Sequence, residues 1–265
     1  LNLVVREDLK TTSKEEVLEL VKRFLENLSE PWLIIYDNAH NHETLVPYLL
    51  SRGGDVLVTS RLTEWPMRTR LEVDVMSTED AKALVRKIIN DRITFTEPEL
   101  ETLIEKMGRL PLALAQASAY IRESEISIPE YLALYEVLKQ RLLDDGKMPA
   151  GHPHENVWVT FSLSVEKIST LNPRAIELLN YAGFLASAPI PRSLLAHASV
   201  QEETAELVNS SVFDEAIALL GIYSLFKFDF GNEAIVIHRV LQDTIQTLKT
   251  SLEDKVLILL SILTG

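Results

Sequence analysis

The chain has no cysteine in its 265 residues. That excludes disulfides and thiolate metal sites and agrees with a reducing compartment. Glycine is sparse at nine, and the only adjacent pair, Gly53-Gly54, is followed by Asp55. No Gly-x-x-x-x-Gly-Lys-Ser/Thr run occurs anywhere. The chain therefore carries no local cluster of backbone N–H groups with a lysine to hold a triphosphate. Long apolar runs are also missing. The longest, residues 256–260, extends past Ser261 to Ile262-Leu263, well short of the ~18 residues of a spanning helix. No signal-peptide pattern opens the chain, so no membrane partner and a cytoplasmic location are expected. Basic residues are outnumbered, 26 Lys and Arg against 39 Asp and Glu, for a net charge of −13. That balance disfavours general binding to nucleic acid or anionic membranes. No Gly-x-Ser-x-Gly nucleophile elbow is present.

What is present is ordinary for a globular protein: 46% hydrophobic and 25% charged residues. The length suits one large or two to three small domains. Residues 32–61 organise the reading. The short run Leu33-Ile34-Ile35-Tyr36 ends on Asp37-Asn38, a helical stretch follows, and Val56-Leu57-Val58-Thr59 ends on Ser60-Arg61. Both runs are apolar on both faces, as in parallel strands covered by helices. Ligands in open α/β sheets bind beyond the carboxyl ends of such strands. Upstream, Ser13 and Glu16 form a capping-box pattern ahead of Val17, Leu20, Val21, Phe24, Leu25 and Leu28 at helical spacing. Leu71-Glu72-Val73-Asp74-Val75 alternates and predicts a third strand, giving a small parallel sheet of about three strands. Residues 1–5 read as a strand end or connection.

Beyond residue 76 the pattern turns helical. Ser77 with Asp80, Glu97-Pro98, Leu110-Pro111 and Ser127 with Glu130 mark four helix starts, and Gly108 sits where a glycine stop belongs. Residues 144–153 are dense in Gly, Pro and charge and read as a boundary. Further helices are expected at 157–168, after Asn172-Pro173, and at 193–197 and 212–220. A β-hairpin turning at Gly231-Asn232 follows, and then a helix opened by His238. Helices followed by a hairpin describe a small winged-helix module. The expected division is 1–76 for an α/β part, 77–150 helical, 151–250 winged helix and 251–265 the start of a further helical region.

The chemistry of single positions is open. Asp37 after an apolar strand can orient Mg²⁺, a hard cation that takes oxygen ligands, or simply cap the next turn. Arg61 can stabilise phosphate charge or be a surface arginine. Residues 108–113, Gly-Arg-Leu-Pro-Leu-Ala, are fully explained as a helix stop and restart. His238 at a strand-to-helix junction can bond a phosphate or serve structurally. His40-x-His42 and His152-x-His154 lack the supporting ligands of a metal site.

Taken in order, Asp37-Asn38, Thr59-Ser60-Arg61, Gly108 to Ala113 and Ile237-His238-Arg239 resemble the NB-ARC family, the STAND class of nucleotide-dependent signalling switches. Residues 157–195 look like the winged-helix region of fungal members, which often carry tetratricopeptide repeats beyond it. The resemblance implies a partial P-loop NTPase sheet, a helical subdomain and a winged helix. It also implies ADP or ATP with Mg²⁺ as ligand of an intact parent. By that resemblance Asp37 is the Walker B aspartate, Arg61 reads the terminal phosphate, Pro111 packs near the adenine and His238 contacts the ADP β-phosphate. Asn38 stands where relatives that hydrolyse ATP often carry a second carboxylate, and Ile237-His238-Arg239 lacks the motif's aspartate. The expectation is therefore at most slow ATP hydrolysis in the parent. The chain opens on Leu1 with no phosphate loop, so it is expected to be a piece that does not bind nucleotide alone. The implied partners are other protein domains, C-terminal repeats and further copies on activation.

Two alternatives are a nucleotide-independent scaffold and a winged-helix transcription regulator. Between residues 154 and 248 there are five Lys and Arg against eleven Asp and Glu, net −6. That charge argues against phosphate contact with DNA.

Overall fold

The computed structural model describes residues 13–50, 52–62, 65, 70–148, 151, 154–185, 189–198, 210–229, 231 and 233–248. The expected elements at residues 1–5 and 251–265 lie outside these. Two compact units divide the chain, Leu1–Val73 and Asp74–Gly265.

In the first unit, α1 (Lys14–Glu26) begins on the capping box of Ser13 and Glu16. Strands β1 (Leu33–Tyr36) and β2 (Asp55–Val58) pair in parallel, Leu33 with Asp55 through Tyr36 with Val58. Between them come the short α2 (His42–Leu45) and a 3₁₀ turn, Val46–Tyr48. The start of β1 is pinned by Trp32, whose indole N–H donates to the Leu25 carbonyl at 2.8 Å. Its ring lies so close to Gly54 that a Cβ there would stand 2.2 Å from it. Tyr36 Oη donates to the Tyr48 carbonyl at 2.5 Å.

The expected third strand does not form. Residues 71–75 pair with no strand, and Leu71 and Val73 are 87% and 90% exposed. Alternation supplies two distinct faces but no ladder partner, and the Val75 N–H instead donates to the Asp74 carboxylate at 2.7 Å. Among the described residues the parallel sheet therefore has two strands. Ile34, Tyr36, Val56 and Val58 are half-buried on one face, whereas Leu33, Ile35 and Leu57 are exposed on the other.

The second unit is mainly helical: α3 (Thr78–Ile89), α4 (Glu97–Lys106), α5 (Pro111–Ser124), α6 (Ile128–Asp144), α7 (Glu155–Leu171), α8 (Pro173–Phe184), α9 (Arg192–Ala198), α10 (Ser210–Ile222) and α11 (Arg239–Leu248). Capping boxes Thr96/Glu99 and Ser127/Glu130 start α4 and α6. Strands β3 (Ile190–Pro191), β4 (Phe226–Asp229) and β5 (Ala234–Ile237) form an antiparallel sheet in the order β3-β5-β4. The hairpin is the expected one. The two-residue β3 was not expected, because its pairing comes from the free edge of β5 and leaves no local signature.

Helix α5 is buried along residues 113, 114 and 116–121, lying between α3 and α7. Its run of Ala and Ser lets backbones approach closely. Opposite it, α7 buries every residue from Val157 to Ser164. Each large apolar side chain among them contributes roughly 1.5–3 kcal/mol by leaving water. One apolar core runs from Ala81 to Ile245, so the turn-rich residues 144–148 and 151 connect α6 to α7 inside a continuous packing. Among the described residues no helix is long and apolar enough to cross a membrane.

Candidate functional site

Parallel pairing carries Asp37 and Thr59 past the carboxyl ends of neighbouring strands, and their side chains meet there. Thr59 Oγ1 donates to Asp37 Oδ1 at 2.5 Å and accepts the Asn38 N–H at 2.8 Å. Asn38 takes a left-handed backbone, φ +55, which turns its N–H toward that hydroxyl. The Ala39 N–H reaches the Thr59 carbonyl at 2.9 Å, and Ser60 Oγ donates to the Ala39 carbonyl at 2.8 Å. Two strand-end loops are thus tied into one rim. The second carboxylate oxygen of Asp37 takes no hydrogen bond among the described residues, and Asp37 is exposed. Arg61 follows on the same rim, exposed, with no ion pair to a described residue. The donor set fits a hard cation on the open Asp37 oxygen and an anion at Arg61. Thr59, quoted in the sequence only as part of a motif, proves to be the residue that orients Asp37. Its role needed the register of β1 on β2.

In the second unit, Gly108 and Arg109 take successive left-handed conformations, φ +64 and +52. This double turn ends α4 and aims Leu110-Pro111 into α5. Pro111 occupies the first turn of α5 and is exposed. The Arg109 carbonyl accepts the Met76 N–H at 3.1 Å. A Cβ on Gly108 would sit 2.9 Å from Asn156 Nδ2, so the turn abuts the start of α7. Asn156 is held from its other side by Tyr135 Oη at 2.9 Å, and Glu155 beside it pairs with Lys139 at 2.5 Å.

His238 lies between β5 and α11. Its carbonyl accepts the Leu241 and Gln242 N–H groups at 2.8 and 3.2 Å, and its Nδ1 accepts the Val240 N–H at 3.2 Å. The residue is exposed overall, yet crowding around the ring lowers its pKa by desolvation. Repulsion from Lys227 and His154 adds to this, and Asp243 opposes it. His154 heads α7, the helix whose first turn also meets the 108–111 turn through Asn156. Neither Lys227 nor His154 was singled out in the sequence as a partner of His238. Among the described residues no three His, Asp or Glu side chains gather as a metal site, and His152 lies outside the described residues.

Residues 166–252 match the profile of a domain of unknown function, DUF7779. The chain is also 27% identical, over 264 aligned residues, to a nucleotide-binding leucine-rich repeat (NLR)-like protein of Hyaloscypha variabilis. The match covers 86% of this chain and 25% of that relative, so the chain spans about a quarter of the relative's length.

Proposed function

We propose that this chain is part of a nucleotide-dependent signalling switch of the STAND class. The observation that carries the reading is the rim where Asp37, fixed by Thr59, and Arg61 stand beyond two adjacent parallel strand ends. The similarity to an NLR-like protein along most of the chain supports it at a coarser level. In this reading Asp37 supplies an oxygen to the Mg²⁺ that accompanies a nucleotide, and Arg61 meets its terminal phosphate. Pro111 offers an apolar ring to the base, and His238 donates from Nε2 to the β-phosphate. Bound metal would neutralise phosphate charge. Exchange of ADP for ATP would release the part of the chain carrying His238, a hinge-type change.

The test is the nucleotide content of a longer parent that includes an upstream phosphate loop. The expected result is co-purified ADP that is lost in Asp37→Ala and weakened in His238→Ala. A parent that carries no nucleotide, with both substitutions silent, sinks the reading. The 265-residue chain alone has no phosphate loop and should give no micromolar ADP binding by calorimetry.

A scaffold reading has its own support in the exposed sheet face of Leu33, Ile35 and Leu57, since parallel sheets are ordinarily covered on both sides. An upstream phosphate loop lacking its lysine would favour it.

A further inference from the structure

We propose that the outer face of α1 pairs with the same face of a second copy of this chain, the two helices running antiparallel about a two-fold axis. The inference stands apart from any nucleotide. Helix α1 buries none of its residues. Val17, Leu20, Val21 and Phe24 recur at i, i+3, i+4 and i+7 and share one face. Leu20, Val21 and Phe24 are 54%, 40% and 47% exposed, whereas Leu18 and Leu25, about a quarter-turn round the helix, are half-buried. Both ends of the helix are anchored with this seam outward. The Lys14 ammonium lies 5.9 Å from the centre of the Tyr48 ring, and the Trp32 indole donates to the Leu25 carbonyl.

The order of residues along the seam points to a second copy as its occupant. Reversed on itself, the seam sets small beside large: Val17 meets Phe24 at both ends, and Leu20 meets Val21 in the middle. Glu16 and Arg23 are both exposed and stand seven residues apart, on one flank of the seam. Antiparallel helices on a two-fold axis bring that flank of each together in reverse order. Glu16 of each copy therefore meets Arg23 of the other, and the pair is made twice. The capping box uses only Oε2 of Glu16, which accepts the Ser13 N–H at 3.1 Å, so the other oxygen remains for the guanidinium. An anionic membrane is a poorer match, because α1 carries four acids against three bases. A helix of 13 residues is about 20 Å long. Two of them bury less than the ~1,200 Å² of a standard interface, so the dimer is weak, with a dissociation constant on the order of 100 μM.

The experiment is sedimentation equilibrium of the 265-residue chain from about 5 to 500 μM, a range that brackets that constant. The expected result is a reversible equilibrium that stops at two, since a two-fold contact closes on itself. Leu20→Glu should abolish it; Leu20 is more than half exposed, so the fold is retained. Arg23→Glu should weaken it about tenfold, and that gap should narrow in about 0.5 M salt. Lys87→Glu on α3, the same change of charge away from α1, should leave it as in wild type. The chain has no cysteine, so an introduced thiol reports the geometry. Val21→Cys, beside the axis, should form a disulfide between copies, and Asn27→Cys, about 20 Å from its counterpart, should not. A chain that stays monomeric at the highest concentration overturns the pairing. So does a dimer indifferent to both Leu20→Glu and Arg23→Glu, or one in which both thiols cross-link. In the monomeric case, α1 amide shifts on adding anionic vesicles would give the face to a lipid surface. Shielding of the Val21→Cys thiol in a longer, monomeric parent would give it to another segment of that parent.

Discussion

Thr59 Oγ1 donates to the carboxylate of Asp37 at 2.5 Å while accepting the Asn38 N–H at 2.8 Å. One hydroxyl thereby sets the direction of the only carboxylate at the end of β1. Thr59→Val keeps the shape and removes both bonds. A hydrogen bond to a charged group is worth roughly 1.5–3 kcal/mol, less at an exposed site. We expect amide exchange in β1 and β2 to rise about tenfold, the equivalent of ~1.4 kcal/mol, with Thr59→Ser close to wild type. Unchanged exchange in Thr59→Val would remove the orienting role.

Gly54 and Trp32 make a second test in the same unit. A Cβ at Gly54 would meet the indole at 2.2–2.5 Å, inside any real contact distance. Gly54→Ala must push the ring away and break its bond to the Leu25 carbonyl. Overpacking of this kind costs typically 1–3 kcal/mol. The expected signature is a red-shifted tryptophan emission with lowered stability. An unshifted spectrum would contradict the packing.

Arg122 joins three helix ends in the second unit. Its Nη1 donates to the Ile88 carbonyl at 3.0 Å and its Nη2 to the Ile222 carbonyl at 3.2 Å, while Nε meets Glu123 at 2.5 Å. These carbonyls belong to the last turns of α3 and α10, where positive charge is favourable. Arg122→Gln should destabilise the chain by about 1–3 kcal/mol in denaturant unfolding. Lys should rescue only part of this, since an ammonium cannot reproduce the planar fork. Full rescue by Lys would show that charge alone matters there.

The lowered His238 pKa gives a pH dependence of defined sign. Its ordinary value is 6.5. Folding depresses it, so between the folded value and 6.5 the unfolded chain binds more protons. Stability should therefore rise with pH through that window and be lowest below the folded value, where the imidazolium must be held partly desolvated and against Lys227 and His154. His238→Asn, which can still cap α11, should flatten this part of the profile. An identical profile in the variant would assign the slope to other groups.

Local chemistry was legible in the sequence. Ser13 with Glu16, Ser127 with Glu130 and Gly108 all act within a few residues of themselves, and the structure places their caps and turn as expected. The position of Asp37 and Arg61 past strand ends was legible for the same reason. Everything that depends on which strands find neighbours was not. Residues 71–75 alternate like a strand but meet no ladder, and Ile190-Pro191 pair only because β5 offers an edge. Lys227 reaches the His238 environment through a cross-strand register, and His154 through helix packing. Neither is written in spacing along the chain.

The turn after α6 has a practical meaning. Gly146 takes φ +66 with open space around it, and Lys147 beside it is exposed. A trypsin cut after Lys147 would sever covalent continuity at the place that most resembles a boundary. Cohesion should survive it, because Ala113, Leu114, Ala117 and Ile121 before the cut share one core with Val157, Phe161 and Ile168 after it. Two bands on a denaturing gel and a single native peak would be the expected picture: the chain is held together there by its interior rather than by its backbone.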